Sequence, residues 1–412
     1  MPTRRLFLKN SALAMFGVGS APLWLSRAVY AKDQPAPVRK KILITVFQRG
    51  AVDGLNVVVP HGDPAYYALR PSIALPRPAG GDNSVIDLNG EFGLHPALRS
   101  LKPLWDHKQL AIIEAVGSPD PTRSHFDAQD YMESGTPGMK ATYDGWLNRA
   151  LCPEAKPSPV RAISMGEDVA RTLRGKNEAL AIGNVNDFQV KDQRMAATFE
   201  SMYGVSTDQV LNTTAKETFD AVRLVKSIQS KPYVPANAAA YPKGRFGDSL
   251  QQIARIIKSD VGLEVAFTDI GGWDTHVNEV GGQPHEGRLA QLLREFGDGL
   301  GAFAADMGDR MADITIVTMS EFGRTAKENG NRGTDHGHAN VMFALGGNIH
   351  GGKIYGEWPG LQPEQLYEGR DLNVTTDFRT VLSELVAGQL GNHDLAHVFP
   401  GFAKTKPAGL LA

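Results

Sequence analysis

Six apolar runs of strand length recur along the chain: Ile42–Phe47, Leu110–Val116, Val160–Ser164, Leu263–Thr268, Ile314–Met319 and Val341–Leu345. Each is nearly continuous in Val, Ile, Leu and Ala, without a polar residue at every second place. Strands covered on both faces of a mainly parallel sheet have this pattern. Helical periodicity fills the intervals. Leu250, Ile253, Ala254, Ile256 and Ile257 share one helix face, and Leu289, Leu292, Leu293, Phe296, Leu300, Phe303 and Met307 extend a similar stripe over about five turns. Each of these stretches leads into a strand, and that alternation predicts an α/β fold: a three-layer αβα sandwich around a mainly parallel sheet. The section from about Lys191 to Gly247 is more polar and has no strand run. It reads as a peripheral helical insertion, with a loop around Pro232–Pro242, in one domain spanning 41–412.

The first residues follow another pattern. Arg4-Arg5-Leu6-Phe7 precedes an uncharged, mostly apolar run from Ser11 to Leu25, and Val29-Tyr30-Ala31 offers small residues at a cleavage point. A basic start, a short apolar core and a small-residue site describe a removable twin-arginine export signal over 1–31, followed by a linker over 32–40. The apolar run is shorter than the roughly 20 residues of a membrane span. The expected location is therefore periplasmic or secreted, with the twin-arginine translocase as the partner during export and no stable span in the mature form.

Composition narrows the partners. With 42 % hydrophobic and 21 % charged residues, the chain has ordinary globular proportions. Residues 1–31 hold four basic residues (Arg4, Arg5, Lys9, Arg27) and no acidic one, so their removal takes the formal charge from −2 to −6. That balance gives no electrostatic reason to expect nucleic acid. Cys152 is the sole cysteine, so no disulfide forms within the chain.

In parallel α/β sheets, ligands gather beyond the carboxyl ends of the strands. The residues found there are Gln48 to Asn56 after the first strand, Gly117 to Asp127 after the second, Asp269 to His276 after the fourth, and Ser320 to Thr325 after the fifth. Thr334 to Asn340 stands just before the sixth. Asp53, Ser124, Asp274, His276, Glu321, His336 and His338 are thus the candidates for chemistry. Carboxylates with neutral imidazoles suit a divalent ion such as zinc or manganese. Asp274/His276 and His336/His338 are each i, i+2 pairs, which on extended backbone can point the same way. Ser124 precedes a helix predicted over Phe126–Glu133. It reads equally as an N-cap and as a hydroxyl at the positive helix end, with Arg123 beside it to clamp an oxyanion.

Other chemistries lack their motifs. No Gly-x-Ser-x-Gly elbow and no His-Glu-x-x-His is present, and the Gly347–Lys353 spacing of a phosphate loop is followed by Ile354 where Ser or Thr is needed.

The strings QRGAVDGLN (48–56), TRSHFDAQDY (122–131), GGWDTH (271–276), SEFGRT (320–325) and TDHGHAN (334–340) resemble the exported bacterial domain-of-unknown-function family numbered 1501, over roughly Lys41 to Pro400. That family is in turn similar to the alkaline-phosphatase and sulfatase superfamily, a parallel α/β fold with divalent metals at its strand ends. The resemblance implies Asp53 as a metal carboxylate, Ser124 as nucleophile, Asp274 and His276 as a metal pair, Glu321 where an Asp usually stands, and His336 or His338 as a late ligand. Arg49, Arg123 or Arg324 would balance a developing anion. The metal would be zinc, calcium, magnesium or manganese, and the substrate a small anionic ester. Two departures stand out: Asp274 and His276 are spaced more closely than the superfamily's pair, and Glu321-Phe322 replaces an Asp-His, losing one imidazole. The leading expectation is an exported phosphate or sulfate ester hydrolase. A non-catalytic binding or scaffold protein is the alternative, and a metal-free serine hydrolase using Ser124 with His125 or another His ranks third.

Overall fold

A computed structural model of the chain describes residues 39–187, 220–230, 232–403 and 405–411. The export signal over 1–31 lies outside these residues, as does nearly all of the linker. So does much of the expected insertion, of which 220–229 are helical and 245–247 belong to a longer helix.

All six apolar runs form strands. With short additions they are β1 (Ile42–Arg49), β2 (Leu110–Gly117), β3 (Ala162–Met165), β4 (Leu180–Ile182), β5 (Val265–Gly271), β6 (Ile314–Ser320), β7 (Asn340–Gly346), β8 (Lys353–Tyr355) and β9 (Thr376–Asp377). They make one sheet in the order β8-β2-β7-β6-β1-β5-β3-β4, with β9 also paired to β2. Every pairing is parallel except those of β7, which runs antiparallel to both β2 and β6. Its entrance, not its exit, therefore lies at the carboxyl edge of its neighbours.

Alternation along β1 explains the three layers. Ile42, Ile44 and Val46 face one core, and Leu43 and Phe47 face the other. On the first side lie α2 (Arg245–Lys258) and α3 (Arg288–Met307), whose apolar stripes are those read from the sequence. The second side is covered by α4 (Phe378–Gln389) through Phe378, Val381, Leu382, Leu385 and Val386. Burying each such side chain contributes roughly 1.5–3 kcal/mol, so both faces are held firmly. Among the described residues, no helix is long and apolar enough to cross a membrane.

At the carboxyl edge, the helix predicted after β2 is α1 (His125–Ser134). Ser124 caps it by accepting from Asp127 N at 3.4 Å.

Candidate metal centre

The loop after β5 is anchored by Trp273, which is fully buried and donates from its indole to Ile270 O at 2.9 Å. This fixes the next residue, Asp274, against the loop after β1. There Gly50 has φ +118°, and a Cβ on it would stand 2.7 Å from Asp274 N, so only glycine admits the approach. The loop after β6 zips to the segment entering β7: Thr325 N donates to Asp335 O at 2.9 Å and Gly323 N to His338 O at 2.8 Å. Asn340 ties both together, donating to Val52 O and Phe322 O. Four loops thus meet at one point, and the antiparallel course of β7 is what brings the fourth.

Three imidazoles and a carboxylate converge there. His336 Nε2 lies 3.0 Å from His125 Nε2 and 2.9 Å from His276 Nε2. Asp274 Oδ1 is 3.1 Å from His276 Nε2, 3.4 Å from His336 Nε2 and 3.6 Å from His125 Nε2. The compact core of the set is His125, Asp274 and His336, whose ligand atoms all lie within 4.8 Å of one another.

The other ring nitrogens decide what these contacts are. His125 Nδ1 meets Glu321 Oε1 at 2.8 Å, His276 Nδ1 meets Asp335 Oδ1 at 3.1 Å, and His336 Nδ1 meets Arg123 O at 3.0 Å. All three partners are acceptors, so in each neutral ring Nδ1 carries the proton and Nε2 a lone pair. With all three rings neutral, the imidazole lone pairs face one another and the Asp274 oxygen, whose donor is Arg324. A cation, either a metal ion or a proton on one ring, offsets the repulsion among them. Atoms bound about 2.0–2.1 Å from a common ion sit roughly 3–3.5 Å apart, close to the 2.9–3.6 Å of the pairs that include His336 or Asp274; His276 stands outside the group of three. Carboxylate and carbonyl partners behind each ring are the usual outer support of metal-bound histidine.

Charge favours a cation. Partial burial works against ionising Asp274, but the hydrogen bond and charge of Arg324 hold its carboxyl below the usual range. Glu321 and Asp335 are likewise held down against burial, Glu321 chiefly by His125 and Asp335 by Asn329 and His276. The hydrogen bond to Glu321, more than any other influence, raises His125. Burial, reinforced by the charge of His125, lowers His336.

Several residues proposed from the sequence take other positions. Asp53, expected as a metal carboxylate, is buried and paired bidentately with Arg70 at 2.5 and 2.8 Å. Glu321 stands behind the ligands: besides His125 it accepts from Gly50 N at 2.8 Å, Gln129 Nε2 at 2.9 Å and Ser320 Oγ at 3.1 Å. His338 does not point with His336. Its Nε2 donates to Ser118 O at 3.0 Å and its ring lies against Tyr367. The segment carrying this pair joins its neighbour through an isolated bridge at Arg324/His336, not through a strand, so strict alternation does not apply.

All three arginines are occupied, Arg49 by Asp269 at 2.6 Å and Glu133 at 2.9 Å. Arg123 pairs with Asp371 at 2.6 Å and Glu368 at 2.8 Å. Arg324 is buried, donating to Ala51 O, Gly50 O, Trp273 O and Thr334 O as well as to Asp274 at 2.8 Å. Ser124 and His125 form no dyad, because both ring nitrogens of His125 are engaged elsewhere.

His125 is a candidate ligand absent from those expected from the sequence. It sat inside a quoted motif, and an imidazole opening a helix at a strand end was the available signal.

The family described as "Protein of unknown function (DUF1501)" matches residues 40–398. No curated protein matches the chain. Among solved structures, the crystal structure of the lipoteichoic acid synthase LtaP from Listeria monocytogenes is similar over 74 % of this chain and 65 % of its own, less than two thirds of its length. Identity is 9 % and the TM-score 0.31, a likeness on which no inference about chemistry rests.

Proposed function

We propose that this chain, which belongs to the DUF1501 family, is an exported metal-dependent hydrolase of phosphate or sulfate esters. One observation carries the metal: His125, Asp274 and His336 turn ligand atoms to one point, and His276 lies against two of them, 3.1 Å from Asp274 and 2.9 Å from His336. A donor set rich in imidazole suits zinc, manganese or iron better than calcium or magnesium, which take oxygen ligands. Once bound, such an ion supplies Lewis acidity, polarising an ester oxygen and activating a nucleophile at neutral pH.

The protein's own groups have definite tasks. Glu321, Asp335 and the Arg123 carbonyl fix ring orientation and tautomer. Arg324 holds Asp274 ionised and aimed. Ser124, one residue from His125 at the head of α1, is the protein's candidate nucleophile. The ester class comes from the motif resemblance to the phosphatase and sulfatase superfamily, and export from the twin-arginine start.

A second reading, a non-catalytic metal-binding scaffold, is favoured by the engagement of Arg123 and Arg324, which leaves neither guanidinium turned to a substrate anion. Aryl phosphates and aryl sulfates assayed over several metals separate the two. The hydrolase reading expects turnover that disappears on chelation and falls by at least a hundredfold in Asp274→Ala. Metal uptake with no turnover on either ester class would leave the scaffold reading.

A further inference from the structure

Next to the ligand loops lies a buried group that no motif includes. Glu279 is fully buried, and its Oε2 accepts from Thr275 Oγ1 at 3.1 Å and from Thr334 Oγ1 at 2.8 Å. Thr275 stands between Asp274 and His276, and Thr334 directly precedes Asp335-His336. The same two loops are joined by backbone bonds, Thr334 N to Thr275 O at 3.3 Å and Glu279 N to Arg332 O at 3.0 Å.

We propose that Glu279 is a positioning residue for the metal centre: one buried carboxyl bonded to both ligand loops, setting the separation of the Asp274–His276 ligands from His336. The proposal rests on reading the cluster as a metal site. Glu279 touches no ligand and acts through the two threonines.

Its surroundings indicate which form it takes. Oε1 receives no donor among the described residues, and the neighbouring Asp53 carboxylate is itself an acceptor, already committed to Arg70. A second buried anion there would leave two carboxylates to one guanidinium, that of Arg70, at a high desolvation cost. Burial first, and then the charge of Asp53, drive the Glu279 carboxyl well above its ordinary range. It is therefore a neutral acid, accepting from the threonines through one oxygen and carrying its proton on the Asp53 side. Glutamine reproduces that shape, acceptor and donor, whereas alanine removes all three.

Titration of the full chain with zinc and with cobalt, whose visible spectrum reports ligand geometry, tests this without any activity assay. Glu279→Ala should weaken metal affinity several-fold, less than the roughly 10–100-fold of groups bonded directly to ligands, and shift the cobalt bands. Glu279→Gln should restore both. The double variant Thr275→Val/Thr334→Val should weaken binding in the same direction, and it keeps the test open if Glu279→Ala fails to fold. Wild-type affinity and spectrum in either of these damaging variants would overturn the positioning role. A Gln variant as weak as the Ala variant would overturn the neutral acid. Wild-type protein that takes up no metal would remove the functional reading, and the positioning role with it. Normal uptake beside an unaffected Glu279→Ala removes the positioning role alone.

Discussion

Neighbouring residues at the head of α1 divide the work between them. Ser124 Oγ closes the helix N-terminus, and His125 turns into the cluster. Ser124→Ala should therefore cost about 1 kcal/mol of stability, the usual value of a cap, and leave metal content unchanged. Chemical denaturation with elemental analysis checks both parts, and loss of metal in this variant would place Ser124 among the ligands. The motifs lie at strand ends that the fold brings together, but a motif does not give each residue its role. Asp53, Glu321 and His338 looked equivalent to Asp274 and His336 because strand-end position is visible in one dimension. What separates them is the partner each side chain finds: Arg70, His125 and Ser118 respectively, and the last two are remote in the chain. Direction follows from those partners, and spacing alone does not encode it.

At the scale of elements, strand-length apolar runs and helical stripes were legible because both faces of the sheet are buried and the periods differ. The course of β7 was not. Its composition is that of any buried strand, and only its pairing with β2 and β6 shows that it runs backwards and so delivers His336 to the carboxyl edge. The short strands β4, β8 and β9 bury too few apolar residues to leave a pattern. His95 shows how an element's end can carry a pH dependence. It caps the 3-10 turn Pro96–Leu101 by accepting from Ala97 N at 3.0 Å, and burial foremost, aided by the charges of His285 and Arg294, pushes its pKa down to about 3. The folded value lies below the unfolded one, so this stabilisation is complete above about pH 6.5 and is lost as pH falls towards 3. Between about pH 6.5 and pH 5 the loss should be roughly 2 kcal/mol. Urea unfolding of wild type and His95→Gln across that interval measures it. Parallel curves for the two proteins would contradict the assignment.

For the molecule as a whole, the two cores build the sheet, and loops at one edge of it bring together candidate ligands from distant parts of the chain. A centre assembled in this way exists only in the folded state, so binding a cation must stabilise folding. At a free metal concentration about a hundredfold above Kd the gain should be about 2.7 kcal/mol, seen as a higher Tm with zinc or manganese and reversed by chelation. An unchanged Tm over a range of divalent ions would contradict the linkage.

The most direct test is the elemental content of the purified wild-type chain beside an Asp274→Ala/His336→Ala variant shown to be folded by circular dichroism. The account predicts a stoichiometric transition metal in the wild type and none in the variant. Folded wild-type protein that is metal-free, and that binds no divalent ion when titrated, would contradict it.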